Sequence, residues 1–280
     1  MNPIASIKAR VGYFIDKRRV VETPGGKQRE FLDKAFSVFY PSSWNYWSHP
    51  NLTYSAANGF PSQILALSST ILAEADQVPV AAPEFGQGVD DSKLGILLDE
   101  HGSDKYNHDY TKVYARLFHE MGQGAALSIL EVGLGTNDPD FISSMTAAGK
   151  PGASVRAFRD YLPNASVYGA DLDDKILFSE DRIKTSRVDQ TDPISFEKMW
   201  DNFGRPALDL VIDDGLHSTE ANINTFHFAT KALKSGGYMV VEDIPERTIP
   251  VWQLLSRILG DKKGTLVKAN YAYMYVWKKP

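Results

Sequence analysis

Two short stretches of this chain carry acidic and imidazole side chains at spacings that could do chemistry. Residues 208–218 read LDLVIDDGLHS, an apolar run that ends in Asp213 and Asp214, turns at Gly215 and delivers His217. Residues 238–245 read YMVVEDIP, a second apolar run that ends in Glu242 and Asp243. If the two runs are neighbouring parallel strands, about 4.8 Å apart, their terminal carboxylates converge. Two or three carboxylates, completed by water and substrate oxygens, suit a hard divalent ion such as Mg2+. Successive strand side chains point to opposite faces, so one of Asp213 and Asp214 looks into the crevice while the other caps the helix that follows.

A third stretch points to a nucleoside. SILEVGLGTNDPD (128–140) is a strand-like run that places Glu131 before a loop containing Gly133 and Gly135, which lets the backbone turn and approach a ligand closely. A dinucleotide fingerprint needs a third glycine near position 138, where this chain has Asp138 followed by Pro139. The next strand-like run ends YGADLDD, with Asp171 placed to accept both hydroxyls of a ribose. A third run leads into RVDQTDP, bringing Asp189 and Gln190 to the same end of the sheet. An acidic strand residue, a short glycine loop and a ribose acceptor form the pattern that holds S-adenosylmethionine (SAM), a nucleoside without phosphates.

The elements that must position these residues alternate regularly beyond residue 90, as in a mostly parallel sheet covered on both faces. Strands are expected at Ser128–Val132, Ser166–Asp171, Ile183–Val188, Leu208–Asp213, Tyr238–Glu242, Thr265–Ala269 and Tyr273–Trp277. Helices are expected at Gly152–Tyr161, Pro193–Asn202, Thr219–Leu233 and Ile249–Leu259, with two more near Lys93–Asp99 and Tyr110–Glu120. Too few residues separate the last two strands for a crossover helix, so they run antiparallel. The expected fold is therefore α/β: a Rossmann-like, seven-stranded sheet with an antiparallel last strand, spanning residues 91–280. Before it, Gln28–Tyr40 and Ser62–Asp76 have helical spacing, and the stretch between them is rich in aromatics. Residues 1–90 thus read as a mainly helical extension, a lid or an oligomerisation element, joined through the Pro- and Gly-containing stretch Gln77–Asp90.

The glycine loop and Asp171 resemble the first two motifs of class I SAM-dependent methyltransferases. Asp-Gly-x-His after the fourth strand and Glu-Asp after the fifth resemble, more narrowly, the metal-dependent sugar O-methyltransferases of macrolide biosynthesis, the mycinamicin type. Similar stretches are HGSDKYNHDYTKVYARLF (101–118) and PGASVRAFRDYLPNASVYGADLDD (151–174), so the resemblance covers roughly residues 95–245. It implies Asp214, Glu242 and Asp243 as metal ligands, His217 as general base, and Glu131, Gly133, Gly135, Asp171, Asp189 and Gln190 at the cofactor. Lys105, Tyr106 and His108 would close over the methionine part of SAM, or simply form the start of a helix. Leu216 departs from the pattern, which has a small serine there. The implied activity is Mg2+-dependent methyl transfer from SAM to a hydroxyl of a sugar or glycosylated small molecule, with homo-oligomers as the family's habit.

Composition narrows the partners. The 280 residues carry 30 Lys+Arg, 35 Asp+Glu and no cysteine, which excludes disulfides, thiolate metal sites and cysteine nucleophiles. A net charge of −5 argues against nucleic acid as the main partner. With neither a signal-like apolar core nor a long apolar run near the start, the reading is a cytoplasmic protein without membrane partners. Two other readings stand beside the methyltransferase. One is an NAD-dependent oxidoreductase on a related sheet, disfavoured by Asp138 and by the long distance to Asp171, far beyond the ~20 residues of that fingerprint. The other is a catalytically silent SAM-binding module.

Overall fold

The structure, a computed structural model, describes residues 39–41, 46–48, 59–64, 80–81, 83–141, 143–145, 149–260 and 264–280. It divides into two compact units, Met1–Ile71 and Leu72–Pro280. In the first unit the described residues form an antiparallel pair, β1 (Phe39–Pro41) with β2 (Tyr46–Ser48), and a helical stretch over 59–64. Most of the helical spacing expected over Gln28–Tyr40 and Ser62–Asp76, and most of the aromatic stretch between them, lies outside the described residues.

The second unit is built on a nine-stranded sheet. In chain order its strands are β3 (Val80–Ala81), β4 (Ser128–Val132), β5 (Ser166–Asp171), β6 (Ser179–Glu180), β7 (Ile183–Arg187), β8 (Leu208–Asp213), β9 (Leu233–Ile244), β10 (Thr265–Lys268) and β11 (Tyr273–Lys278). Their spatial order is β3-β10-β11-β9-β8-β4-β5-β7-β6. β7, β5, β4, β8 and β9 pair in parallel, and β11 runs antiparallel to both β9 and β10. All seven expected strands are present; the two additions are two-residue edge strands, too short to show a period of two. One addition lies in the expected linker. Val80–Ala81 pairs with β10, and in the following 3-10 turn (Pro83–Gly86) the Phe85 carbonyl accepts from Arg116, whose guanidinium lies over the Phe85 ring.

Among the described residues six helices cover the sheet: α1 (Ser92–His101), α2 (Thr111–Met121), α3 (Ala153–Tyr161), α4 (Pro193–Asn202), α5 (Thr219–Ala232) and α6 (Ile249–Leu259). Strand alternation sorts the core into two layers. Ile129, Leu210, Ile212, Val240, Met274 and Val276 pack with Leu94, Tyr114, Phe118 and Phe158 from α1–α3. Leu130, Val132, Val211, Met239, Val241 and Tyr275 pack with Phe196, Phe226, Phe228 and Trp252 from α4–α6. A strand buried on both faces cannot alternate apolar with polar, which is why these strands read as continuous apolar runs. Each such large side chain contributes about 1.5–3 kcal/mol on full burial. Consequently the carboxylates at the strand ends sit on a rigid platform.

Candidate active site

The carboxyl ends of β4, β5, β8 and β9 open onto one cavity of about 780 Å³. Its lining includes Gly133, Gly135, Asp171, Asp189, Gln190, Asp214, His217, Glu242 and Asp243, and also Lys105, His108 and Leu216. A cavity of this size suits a nucleoside cofactor together with part of a second substrate.

The glycine loop requires its glycines. Gly133 has φ +100°, and a Cβ there would collide with the Asp214 backbone carbonyl, while Gly135 has φ +78° and lies against Met145. The loop is tied to β5: Gly133 N–H donates to the Ala170 carbonyl at 2.8 Å and Leu134 N–H to Asp171 Oδ2 at 2.7 Å. Asp171 Oδ1 accepts from Asp173 N–H at 3.0 Å, so the carboxylate is fixed at the cavity wall with lone pairs left for hydroxyl donors. Asp189 Oδ1 accepts from the backbone and hydroxyl of Thr191.

Gln190 braces the wall. Its Nε2 donates to Asp213 Oδ1 at 2.8 Å and Thr225 Oγ1 at 2.9 Å, and its Oε1 accepts from Leu216 N–H at 2.7 Å. Asp213 is fully buried under α5, where Asn222 also donates to it. Burial raises its carboxyl above the ordinary value, against the lowering effect of these hydrogen bonds. Of the two aspartates ending β8, then, Asp213 holds the loop and Asp214 faces the cavity.

The acidic residues fall into two groups that share Asp214. The outer group is Asp214, His217 and Asp243, whose potential ligand atoms all lie within 4.8 Å of one another. His217 Nε2 is 3.7 Å from Asp243 Oδ2, and the Tyr110 hydroxyl donates to Asp243 Oδ1 at 2.6 Å. The inner group is Glu131, Asp214 and Glu242, gathered around the Lys105 ammonium. Lys105 Nζ lies 2.6 Å from Asp214 Oδ2, 2.7 Å from Glu242 Oε2 and 3.1 Å from Glu131 Oε1. The Tyr114 hydroxyl closes on Glu242 Oε1, and Ser154 donates to Glu131 Oε2 at 2.6 Å. Burial opposes the charge on Lys105, but the charges of Asp214, Glu242 and Glu131 outweigh it and hold the ammonium well above its usual range. Burial, reinforced by the Asp214 charge, pushes Glu242 up in turn. Burial and the nearby Glu242 and Asp243 charges also raise the Tyr110 hydroxyl, which therefore stays protonated and donates.

Backbone geometry separates the two groups. Between the pairs Tyr275↔Val241 and Tyr273↔Ile244 the ladder gains a residue on β9, a bulge at Glu242–Asp243, and Asp243 has φ +53°. His217 shares this left-handed conformation at φ +53°. Two strained non-glycine residues face each other across the outer group.

Of the residues expected from sequence, Gly133, Gly135, Asp171, Asp189, Gln190, Asp214, His217, Glu242 and Asp243 share the cavity, whereas Glu131 points beneath it towards α3. Tyr106 is largely exposed, His108 lines the cavity, and Lys105 is buried among carboxylates. Sequence reading missed the lysine's partners and the two tyrosines, Tyr110 and Tyr114. The signal was present in principle: three carboxylates at adjacent strand ends cannot be buried without a cation, and HGSDKYNHDY supplies one just ahead of β4.

No family model matches the chain. Among curated relatives it is 35% identical over 167 residues to an 8-demethyl-8-alpha-L-rhamnosyl tetracenomycin-C 2'-O-methyltransferase of Streptomyces olivaceus, covering 59% of this chain and 41% of that protein. It is 31% identical over 138 residues to a demethylmacrocin O-methyltransferase of Streptomyces fradiae, covering 49% and 32%. The chain thus spans less than half the length of these relatives. Among solved structures it superposes on the MycE methyltransferase of the mycinamycin biosynthetic pathway in complex with Mg and SAH, with TM-score 0.54 and 20% identity over 86% of this chain and 66% of that one. The second unit has the class I methyltransferase fold. A second MycE structure, with Mg, SAH and mycinamycin VI, gives the same TM-score of 0.54 at 21% identity, over 67% of this chain and 53% of that one. Among the described residues no helix is long and apolar enough to cross a membrane.

Proposed function

We propose that the chain is a SAM-dependent O-methyltransferase that acts, with a divalent ion, on a hydroxyl of a sugar-bearing small molecule. The observation that carries this reading is the meeting of Asp214, His217 and Asp243 on the wall of the cavity whose other walls are the glycine loop and Asp171. One relative is named as a 2'-O-methyltransferase of a rhamnosyl tetracenomycin and the other as an O-methyltransferase, which supports the same reaction and, in the first case, the same substrate class.

The carboxylates fit a hard cation: Asp214 and Asp243 are both partly exposed at the rim of a solvent-reached cavity, with His217 beside them. Asp214, Glu242 and Asp243 would hold Mg2+. Bound there, the ion supplies Lewis acidity that lowers the pKa of an alcohol. Gly133, Gly135, Asp171, Asp189 and Gln190 line the SAM side, Asp171 accepting from the ribose hydroxyls. The acceptor oxygen displaces the sulfonium in line: the new C–O bond forms as C–S breaks, the cofactor leaves as a thioether, and the hydroxyl proton passes to His217.

Calorimetric titration with SAM and with NAD, on the wild type and on Asp171→Ala, tests the reading. Expected are micromolar SAM binding, its loss in the variant, and no heat from NAD. NAD binding without SAM binding would overturn it. Chelation is expected to stop methyl transfer while leaving SAM binding intact.

A further inference from the structure

We propose that Tyr271 and His108 form the outer half of the acceptor site, an aromatic corner that receives an apolar ring attached to the sugar being methylated. The proposal rests on the sugar-directed methyltransferase reading above and extends it from the reacting hydroxyl to the rest of the acceptor.

A run of contacts leads from the acidic centre to the surface. Asp243 accepts from the Tyr110 hydroxyl at 2.6 Å. The His108 ring lies edge-on to the Tyr110 ring with centroids 5.5 Å apart, and the Tyr271 ring lies edge-on to His108, again at 5.5 Å. Exposure rises along this run: Tyr110 is buried, His108 lines the cavity, and Tyr271 is 80% exposed. His108 thus stands on the Asp243 side of the cavity, with the acceptor, and not over the methionine part of SAM.

The exposed ring is carried on a pinned turn. Tyr271 lies in the connection between β10 and β11, which Ala269 N–H closes by donating to the Ala272 carbonyl at 3.0 Å. Asn270 ties this connection to the segment carrying His108: its Nδ2 donates to the Asn107 carbonyl at 3.0 Å and its backbone N–H to the His108 carbonyl at 3.4 Å. A tyrosine left in water on such a turn forgoes the burial its ring ordinarily gains, and a ring held in place in advance costs a ligand little ordering. The cavity suits a nucleoside cofactor and part of a second substrate, so a glycosylated acceptor whose hydroxyl reaches Asp214, His217 and Asp243 projects past the rim. Carboxylates and imidazole match the polar hydroxyls of the sugar; the two aromatic rings match an apolar ring beyond it. Leu216, between Asp214 and His217 in the chain, adds an apolar side chain to the same cavity.

Calorimetric titration of the protein saturated with S-adenosylhomocysteine and Mg2+, using methyl and phenyl α-L-rhamnopyranoside, tests this without turnover. The phenyl glycoside is expected to bind the wild type about tenfold more tightly, the gain from one aromatic contact. Tyr271→Ala should bring the two affinities within about twofold, whereas Tyr271→Phe, which keeps the ring, should retain the preference. Affinity for S-adenosylhomocysteine, measured on each variant, checks that both are folded. No preference in the wild type, a preference that survives Tyr271→Ala, or one lost equally in Tyr271→Phe overturns the proposal. A fall in the sedimentation coefficient of Tyr271→Ala would assign the ring to a contact between copies of this chain and overturn it as well. A wild type that binds S-adenosylhomocysteine without preferring the phenyl glycoside sinks this proposal alone; one that binds neither S-adenosylhomocysteine nor SAM sinks the methyltransferase reading with it.

Discussion

The Tyr110 hydroxyl donates to one oxygen of Asp243 at 2.6 Å while the other oxygen faces His217 Nε2 at 3.7 Å. One carboxylate is thus oriented from behind by a neutral phenol and presented forwards to the imidazole. Tyr110 is itself 1% exposed, at the start of α2 in the core layer, so its hydroxyl position is set by packing. Removing that hydroxyl with Tyr110→Phe keeps the ring and frees Asp243 to rotate. The expected outcome is Mn2+ affinity weakened by about tenfold, the usual size of such outer-shell effects. Stability should fall by about 1 kcal/mol, a typical buried hydrogen bond. Unchanged Mn2+ affinity would show that Asp243 is held by something else.

His217→Ala is expected to lower methyl transfer by about 10²–10⁴-fold, the range for loss of a positioned acid–base group. SAM affinity should be unchanged, because the residues proposed to hold the cofactor lie on β4, β5 and the loop after β7. Single-turnover transfer of a labelled methyl group measures this, and full activity in the variant would remove His217 from the base role.

Lys105→Met leaves Glu131, Asp214 and Glu242 without their counter-charge. With Glu131 and Glu242 fully buried, the loss should be about 3–5 kcal/mol, as for a broken buried ion pair. Urea unfolding of the metal-free protein checks it; a loss below about 1 kcal/mol would mean that the cluster rearranges at little cost.

Asp213 supplies a pH dependence whose sign is fixed by its burial. Its carboxyl titrates above the ordinary 3.8 in the folded protein, so the folded state holds a proton that the unfolded state has released. The stability this contributes is fully present below 3.8 and is lost as pH rises through the folded value. Relative to wild type, Asp213→Asn should therefore become progressively more stable as pH is raised from about 3.8 towards neutrality. A difference in unfolding free energy that stays flat with pH would contradict the burial argument.

Much of this fold was legible because its strands and helices announce themselves independently. Ser128–Val132, Ser166–Asp171, Leu208–Asp213 and Pro193–Asn202 match their expected bounds, since each is a run bounded by Gly, Pro, Asn or Asp turns. Val80–Ala81 and Ser179–Glu180 were not legible, because two residues have no period and their pairing depends on distant partners. At the site, the residue types were readable and their side-chain directions only partly so. Alternation on β4 sends Glu131 to the face carrying α3, where Ser154 and Lys105 meet it. The bulge that parts Glu242 from Asp243 arises from the mismatch with β11, a relationship invisible from either segment alone.

The order of the strands also has a consequence in time. β11, last in sequence, lies between β9 and β10, so a chain made from its N-terminus presents the facing edges of those two strands as a gap until residues 273–278 arrive. Glu242 and Asp243 lie on one lip of that gap, and the bulge that turns Asp243 towards His217 forms only against β11. The acidic centre therefore matures late, after the nucleoside-facing half of the sheet can already be paired. Until then the open lips are unpaired strand edges of the kind that recruit neighbouring chains.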